Sequence, residues 1–166
     1  MIALLVPLLT TACGYHVAGQ TNLLPPEIHT IAVQAWGNIS MQYKLSDYLG
    51  EAVSRELNTR TRYKIVADPA KADAVLTGAV ANLFSGALVA DPTTGRSTGA
   101  LVVVQVQVKL IDKNGNVLFQ RPNLEFRERY EISVDPRQYF DENQAALLRL
   151  SRDVARTVVS AILENF

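Results

Sequence analysis

The sequence predicts an α/β (α+β) protein: a two-layer sandwich with two helices packed on one face of a small mixed β-sheet, in the order β-α-β-β-β-β-α. Three observations carry this. The stretch ALVVVQVQVKLID alternates, with Val102, Val104, Val106, Val108 and Leu110 on one side and Gln105, Gln107 and Lys109 on the other. That two-residue period marks a strand with one buried face. Two other segments repeat their apolar residues at three- and four-residue steps, the period of an amphipathic helix. A sheet with one apolar face and two amphipathic helices bury each other best as two layers.

The elements follow in chain order. IHTIAVQAW sets Ile28, Ile31 and Val33 among polar or small residues, a short first strand. GNISMQYK reads as a loop. From Lys44 to Asn58, Leu45, Leu49, Ala52, Val53 and Leu57 form an apolar stripe opposite Asp47, Glu51, Arg55 and Glu56, so one helix is predicted there. RYKIVAD is a second strand, closed at Asp68-Pro69, where the proline ring bars the helical conformation from its predecessor. A helix between these two strands predicts a parallel pair with a right-handed crossover. ADAVLTGAVANLFSG supplies a third strand of about ten residues, and ADPTTGRSTG a turn-rich tip. The alternating fourth strand follows. DKNGN then offers hairpin chemistry, since Asn-Gly tolerates the positive φ of a type I′ turn. The fifth strand runs from Val117 past a break at Pro122 to about Val134, with Leu124, Phe126, Tyr130 and Ile132 facing away from Glu125, Arg127, Arg129 and Glu131. The last three strands form an antiparallel meander. The chain closes in a second helix, started at Asp135-Pro136 or capped by Asp141. Its stripe is Leu147, Leu150, Val154, Val158 and Ile162.

The N-terminus behaves differently. Ile2 to Leu9 is apolar but too short to span a bilayer, which takes about 20 residues. Thr10, Thr11 and Ala12 follow, then Cys13, the only cysteine. An apolar run and then small residues is the order of an export signal. A cysteine at the cleavage point resembles a bacterial lipoprotein signal, in which the sulfur is acylated. No Lys or Arg precedes the run, and Thr10 stands where such signals usually have Leu. The expected organisation is a signal over 1–12, a lipidated tether over 13–27 ending in Pro25-Pro26, and a single domain over 28–166.

Composition narrows the function. Lys+Arg and Asp+Glu are both 16, giving a formal net charge of zero. Nucleic-acid binding usually demands a basic excess. A single cysteine allows no internal disulfide and no thiolate metal cluster. His16 and His29 are isolated, and no HExxH, GxSxG or phosphate-loop motif occurs. The chain is therefore expected to be no enzyme and to need no metal or cofactor.

What remains is surface. Gln105, Gln107 and Lys109, with Glu125, Arg127 and Arg129, fall on the side of the sheet away from the helices. This is either an ordinary solvated face or a docking face for a polar partner. DPTTGRSTG is either a plain hairpin loop or a projecting finger with Arg96 at its tip.

The opening Cys13-Gly-Tyr-His-Val-Ala-Gly, the Leu-Pro that follows and IHTIAVQAW resemble the start of the lipopolysaccharide-assembly lipoprotein family (LptE-type). ADAVLTGAV and the closing YEISVDPRQYFDENQAALLRLSRDVARTVVSAILENF are similar to its second half. The resemblance implies an outer-membrane lipoprotein on the periplasmic side. Its partner would be a large β-barrel that delivers lipopolysaccharide to the cell surface, with the lipoprotein as plug and assembly partner. It also implies direct lipopolysaccharide binding through basic residues near a strand-loop tip, where Arg96 is the candidate here. The strand-helix-strand-strand half, from IAVQAW to ADAVLTGAV, also resembles curli-secretion and TolB N-terminal type domains, which implies a self-assembling secretion component instead.

Overall fold

The computed structural model describes residues 24–39, 43–133 and 135–164. Cys13, the signal and most of the tether lie outside the described residues. Among those described, the strands are β1 (Thr30–Val33), β2 (Gly37–Asn38), β3 (Lys64–Val66), β4 (Ala74–Ala90), β5 (Ser97–Asp112) and β6 (Val117–Glu131). The helices are α1 (Tyr43–Arg60) and α2 (Pro136–Glu164). The sheet runs β3-β1-β4-β5-β6, with β2 also pairing β4. β1 is parallel to both β3 and β4, and β4-β5-β6 is the antiparallel meander. The two-layer arrangement and the element order are as the periodicities predict.

Both helices bury the stripes their spacing marks. Leu45, Leu49, Val53 and Leu57 of α1 and Leu150, Val154, Val158 and Ile162 of α2 are at most 1% exposed. They pack on the inward side chains of β4, β5 and β6, including Leu76, Val80, Val104, Val106, Leu110 and Phe119. Each such side chain contributes roughly 1.5–3 kcal/mol through its removal from water. Pro136 is the first residue of α2, where its missing N–H costs nothing because that position has no intrahelical acceptor. No helix among the described residues is long and apolar enough to cross a membrane.

The structure also departs from the sequence expectations. Part of the expected loop GNISMQYK is a strand, Gly37–Asn38, parallel to β4 at Ala79 and Val80. β4 is 17 residues long, because β5 supplies a hairpin partner along its whole length. Leu24, in the expected tether, is buried against the core, and Ile28 N–H donates to the Pro25 carbonyl at 2.9 Å. Pro122 does not break β6. Val106 faces Leu124 while Val108 faces Arg121, so Pro122-Asn123 form a bulge on an edge strand, where a missing donor is tolerated. The β5–β6 turn is not type I′. No non-glycine among the described residues has positive φ, so Asn114 cannot take that conformation, and Gly115 alone is left-handed at φ 88°. The Asp112 carboxylate holds the turn by accepting from the N–H groups of Asn114 and Asn116, both at 2.8 Å.

One further knot ties the lower end of the sheet. Asp73 Oδ2 accepts from the N–H groups of His29 (3.0 Å) and Thr30 (2.9 Å) and from the Thr30 hydroxyl (2.8 Å). The Asp73 carbonyl accepts from Lys113 N–H at 3.0 Å. β1 and the β5–β6 turn are thereby both joined to the start of β4 at one residue, the first through its carboxylate and the second through its carbonyl.

Candidate functional site

The candidate residues gather at the upper end and the outer face of the sheet, away from that knot. The β4–β5 tip is the six-residue turn Asp91–Arg96. Asp91 organises it: Oδ1 accepts from Thr93 N–H (2.7 Å) and Thr94 N–H (3.2 Å), and its carbonyl accepts from Gly95 N–H (2.8 Å). The Thr93 N–H, then that of Thr94, hold the Asp91 carboxyl below its ordinary pKa. Gly95 takes φ 67°, the left-handed conformation that a side chain resists. Gly99, expected to serve the same turn, instead lies within β5 opposite Val89 and Glu131.

Arg96 leaves this turn exposed and has no ion pair among the described residues. It lines a half-open cavity of about 360 Å³ with Asp91, Thr94, Ser97, Thr98 and Ile132. Thr98, Ile132 and Ser133 continue into a wider open notch of about 1070 Å³ between the end of the sheet and the first half of α2. Leu88, Tyr130, Arg129 and Arg149 also line the notch. Arg149 donates to Glu128 at 2.5 Å, and Ser133 N–H donates to Glu142 at 3.1 Å, which fastens α2 to the end of β6. Sequence reasoning missed the notch. Arg149 reads as one more charge on a helix, and only tertiary packing brings it beside β6.

On the outer face, Gln105 and Glu125 are cross-strand partners, joined by Gln105 Nε2 to Glu125 Oε2 at 3.2 Å. Arg127 donates to Glu125 Oε1 through Nε (2.9 Å) and Nη2 (2.7 Å). The Arg127 hydrogen bonds, then that from Gln105, hold the Glu125 carboxyl below its ordinary pKa. Gln107 lies opposite the Pro122 bulge, and Lys109 faces Gln120 on β6 and Thr77 on β4. Arg129 is exposed and has no ion pair among the described residues. The expected polar face is thus assembled, but it is only half polar. Rows across the sheet read Phe84-Val103-Arg127 and Gly86-Leu101-Arg129, so the face turns apolar toward β4. Phe84 is 61% exposed. Its ring lies over Gly86, where an added Cβ would meet Cζ at 2.8 Å.

Among the described residues no cluster of three His, Cys, Asp or Glu could hold a metal ion. The sequence matches the lipopolysaccharide-assembly family LptE over residues 28–162. The chain belongs to the LptE family. Comparison with curated proteins finds no match.

Solved structures share the LptE-type fold seen here. Lipoprotein B from Nitrosomonas europaea superposes with a TM-score of 0.59 at 18% identity, covering 89% of this chain and 91% of that one. Rare lipoprotein B from Shewanella oneidensis gives 0.54 at 14% identity, covering 82% and 95%. A minor lipoprotein from Acinetobacter baumannii gives 0.55 at 13%, covering 85% and 95%. At such identities the likeness is one of fold.

Proposed function

We propose that this LptE-family chain is an outer-membrane lipoprotein, anchored on the periplasmic side through acylated Cys13. In this reading it is the plug and assembly partner of a β-barrel that delivers lipopolysaccharide to the cell surface, and it binds lipopolysaccharide directly. Its role is assembly and binding rather than catalysis. The observation that carries this is the family match over 28–162, which takes in every described strand, α1 and all but the last two residues of α2. The match runs through α2, beyond the half on which the curli-secretion and TolB-type resemblance rests.

Docking is assigned to Gln105, Gln107, Lys109, Arg127 and Arg129, whose long polar side chains suit a polar, water-lined barrel interior. Lipopolysaccharide contact is assigned to Arg96. A guanidinium presents a planar fork of donors to a phosphate, and here no internal carboxylate among the described residues competes for it.

Two measurements test the reading. Purification from detergent-solubilised outer membranes should recover a large β-barrel with the wild-type chain, and the Cys13→Ala variant should leave the membrane fraction. Titration with lipopolysaccharide should show a salt-sensitive loss of affinity for Arg96→Glu at an unchanged melting temperature. Equal affinity would reduce the tip to a connector.

A further inference from the structure

β4 carries a sheet edge unlike the other long one. On one side it pairs with β1 at Ala74–Leu76 and with β2 at Ala79–Val80. Beyond Val80 no described strand lies along that side, while β5 stays paired to Ala90 on the other. Among the described residues, 81–90 therefore line an open edge, whose outward backbone N–H and C=O groups have no described strand to bind. Phe84 and Leu88 stand beside it, 61% and 46% exposed.

Open edges are ordinarily blunted by charge or proline. β6, at the far side of the sheet, is protected in both ways, by Pro122 at its bulge and by Glu125, Arg127, Arg129 and Glu131. β4 has neither. AVLTGAVANLFSGALVA holds no Asp, Glu, Lys, Arg or Pro in 17 residues. Its pairing with β5 shifts register at Ala81, at Leu88 and between Val89 and Ala90, which leaves Asn82–Ala87 regular.

We propose that this edge pairs antiparallel with the same edge of a second copy of the chain, extending the sheet across a two-fold axis. A two-fold interface must complement itself. An uncharged strand laid against its own copy sets no like charges together in any register. β6 fails that condition, because Glu-Arg-Arg-Glu reads the same in both directions and opposes like to like when paired about its centre. Zero formal net charge removes long-range repulsion between copies. Registers centred on Phe84 or Ser85 set Phe84 opposite the second copy's Phe84 or Gly86, an aromatic contact of the kind that stabilises strand pairs. The occupant cannot be the wall of a closed barrel, which has no free strand edge. The dimer is the form of the free chain and does not depend on the barrel partner proposed above.

Sedimentation velocity of the full chain in a mild nonionic detergent, across a wide concentration range, tests this. The wild type should show a concentration-dependent dimer, and Phe84→Glu with Leu88→Glu should weaken it by about tenfold or more. Arg127→Glu with Arg129→Glu, on the opposite edge, should leave it unchanged. Hydrogen exchange of the unmodified chain should slow at residues 82–87 as concentration rises. A monomer throughout, with no such protection, would overturn the proposal and leave the edge to a strand from another protein. A dimer indifferent to the β4 variants, as association through the apolar N-terminal run would be, overturns it equally.

Discussion

The two halves of the β4–β5 hairpin are written in similar apolar residues yet lead different lives. In the lower half, Ala74–Val80 lies against Val106–Asp112, β1 and β2 flank it, and Ala74, Leu76, Val80, Val106, Val108 and Leu110 are all at most 2% exposed. In the upper half, residues 82–90 face 97–105 and no described strand flanks β4. Phe84 and Leu88 stand in solvent, and the register shifts twice. What differs is the company each half keeps, so β4 is buried below and exposed at Phe84 and Leu88 above.

That contrast can be broken by mutation. Val106→Asp would place an unpaired carboxylate under the helices, a change worth roughly 4 kcal/mol or more, and the purified variant should lack a cooperative unfolding transition. A folded Val106→Asp would mean that the buried face has been assigned to the wrong side. Gly78→Ala is the next largest. A Cβ there would lie 2.5 Å from the Trp36 ring, which fills the space between β4 and Gly50 of α1. Overpacking of this kind costs about 1–3 kcal/mol, to be read from denaturant midpoints.

The Asp73 knot sharpens the comparison through pH. The Thr30 hydroxyl, then the N–H groups of His29 and Thr30, hold the Asp73 carboxyl below its ordinary pKa. A depressed folded pKa means stability present above the unfolded value and lost as pH falls through the folded one. Asp73→Asn should therefore lower the melting temperature at neutral pH, and its difference from wild type should shrink as the solution is acidified across the carboxylate range. A difference that stayed constant with pH would show that the charge plays no part. The smallest effect belongs to the outer face. Arg127→Glu with Arg129→Glu should change stability by only about 0.5 kcal/mol while weakening capture of the barrel partner. Loss of folding would mean that this face is structural.

Legibility followed the same division. The β5 alternation and both helix stripes could be read directly, because a buried face imposes its period on neighbouring residues. The polar column Gln105-Gln107-Lys109 was visible for the same reason. Phe84, Leu101 and Val103 were hidden on that face, since apolar residues on both sides of a strand leave no period to read.

By itself, then, the sequence determined the two-layer class, the order of the principal elements, which side chains face the core and the family resemblance, all properties written in local period or short motif. Tertiary structure alone decided the parallel pairing of β1 and β2 with β4, the Asp73 knot, the Trp36 seat on Gly78, the notch beside Arg149 and the bare edge of β4. Each of these joins residues far apart in the chain, and local periodicity shows which way a side chain points but never what it will meet there.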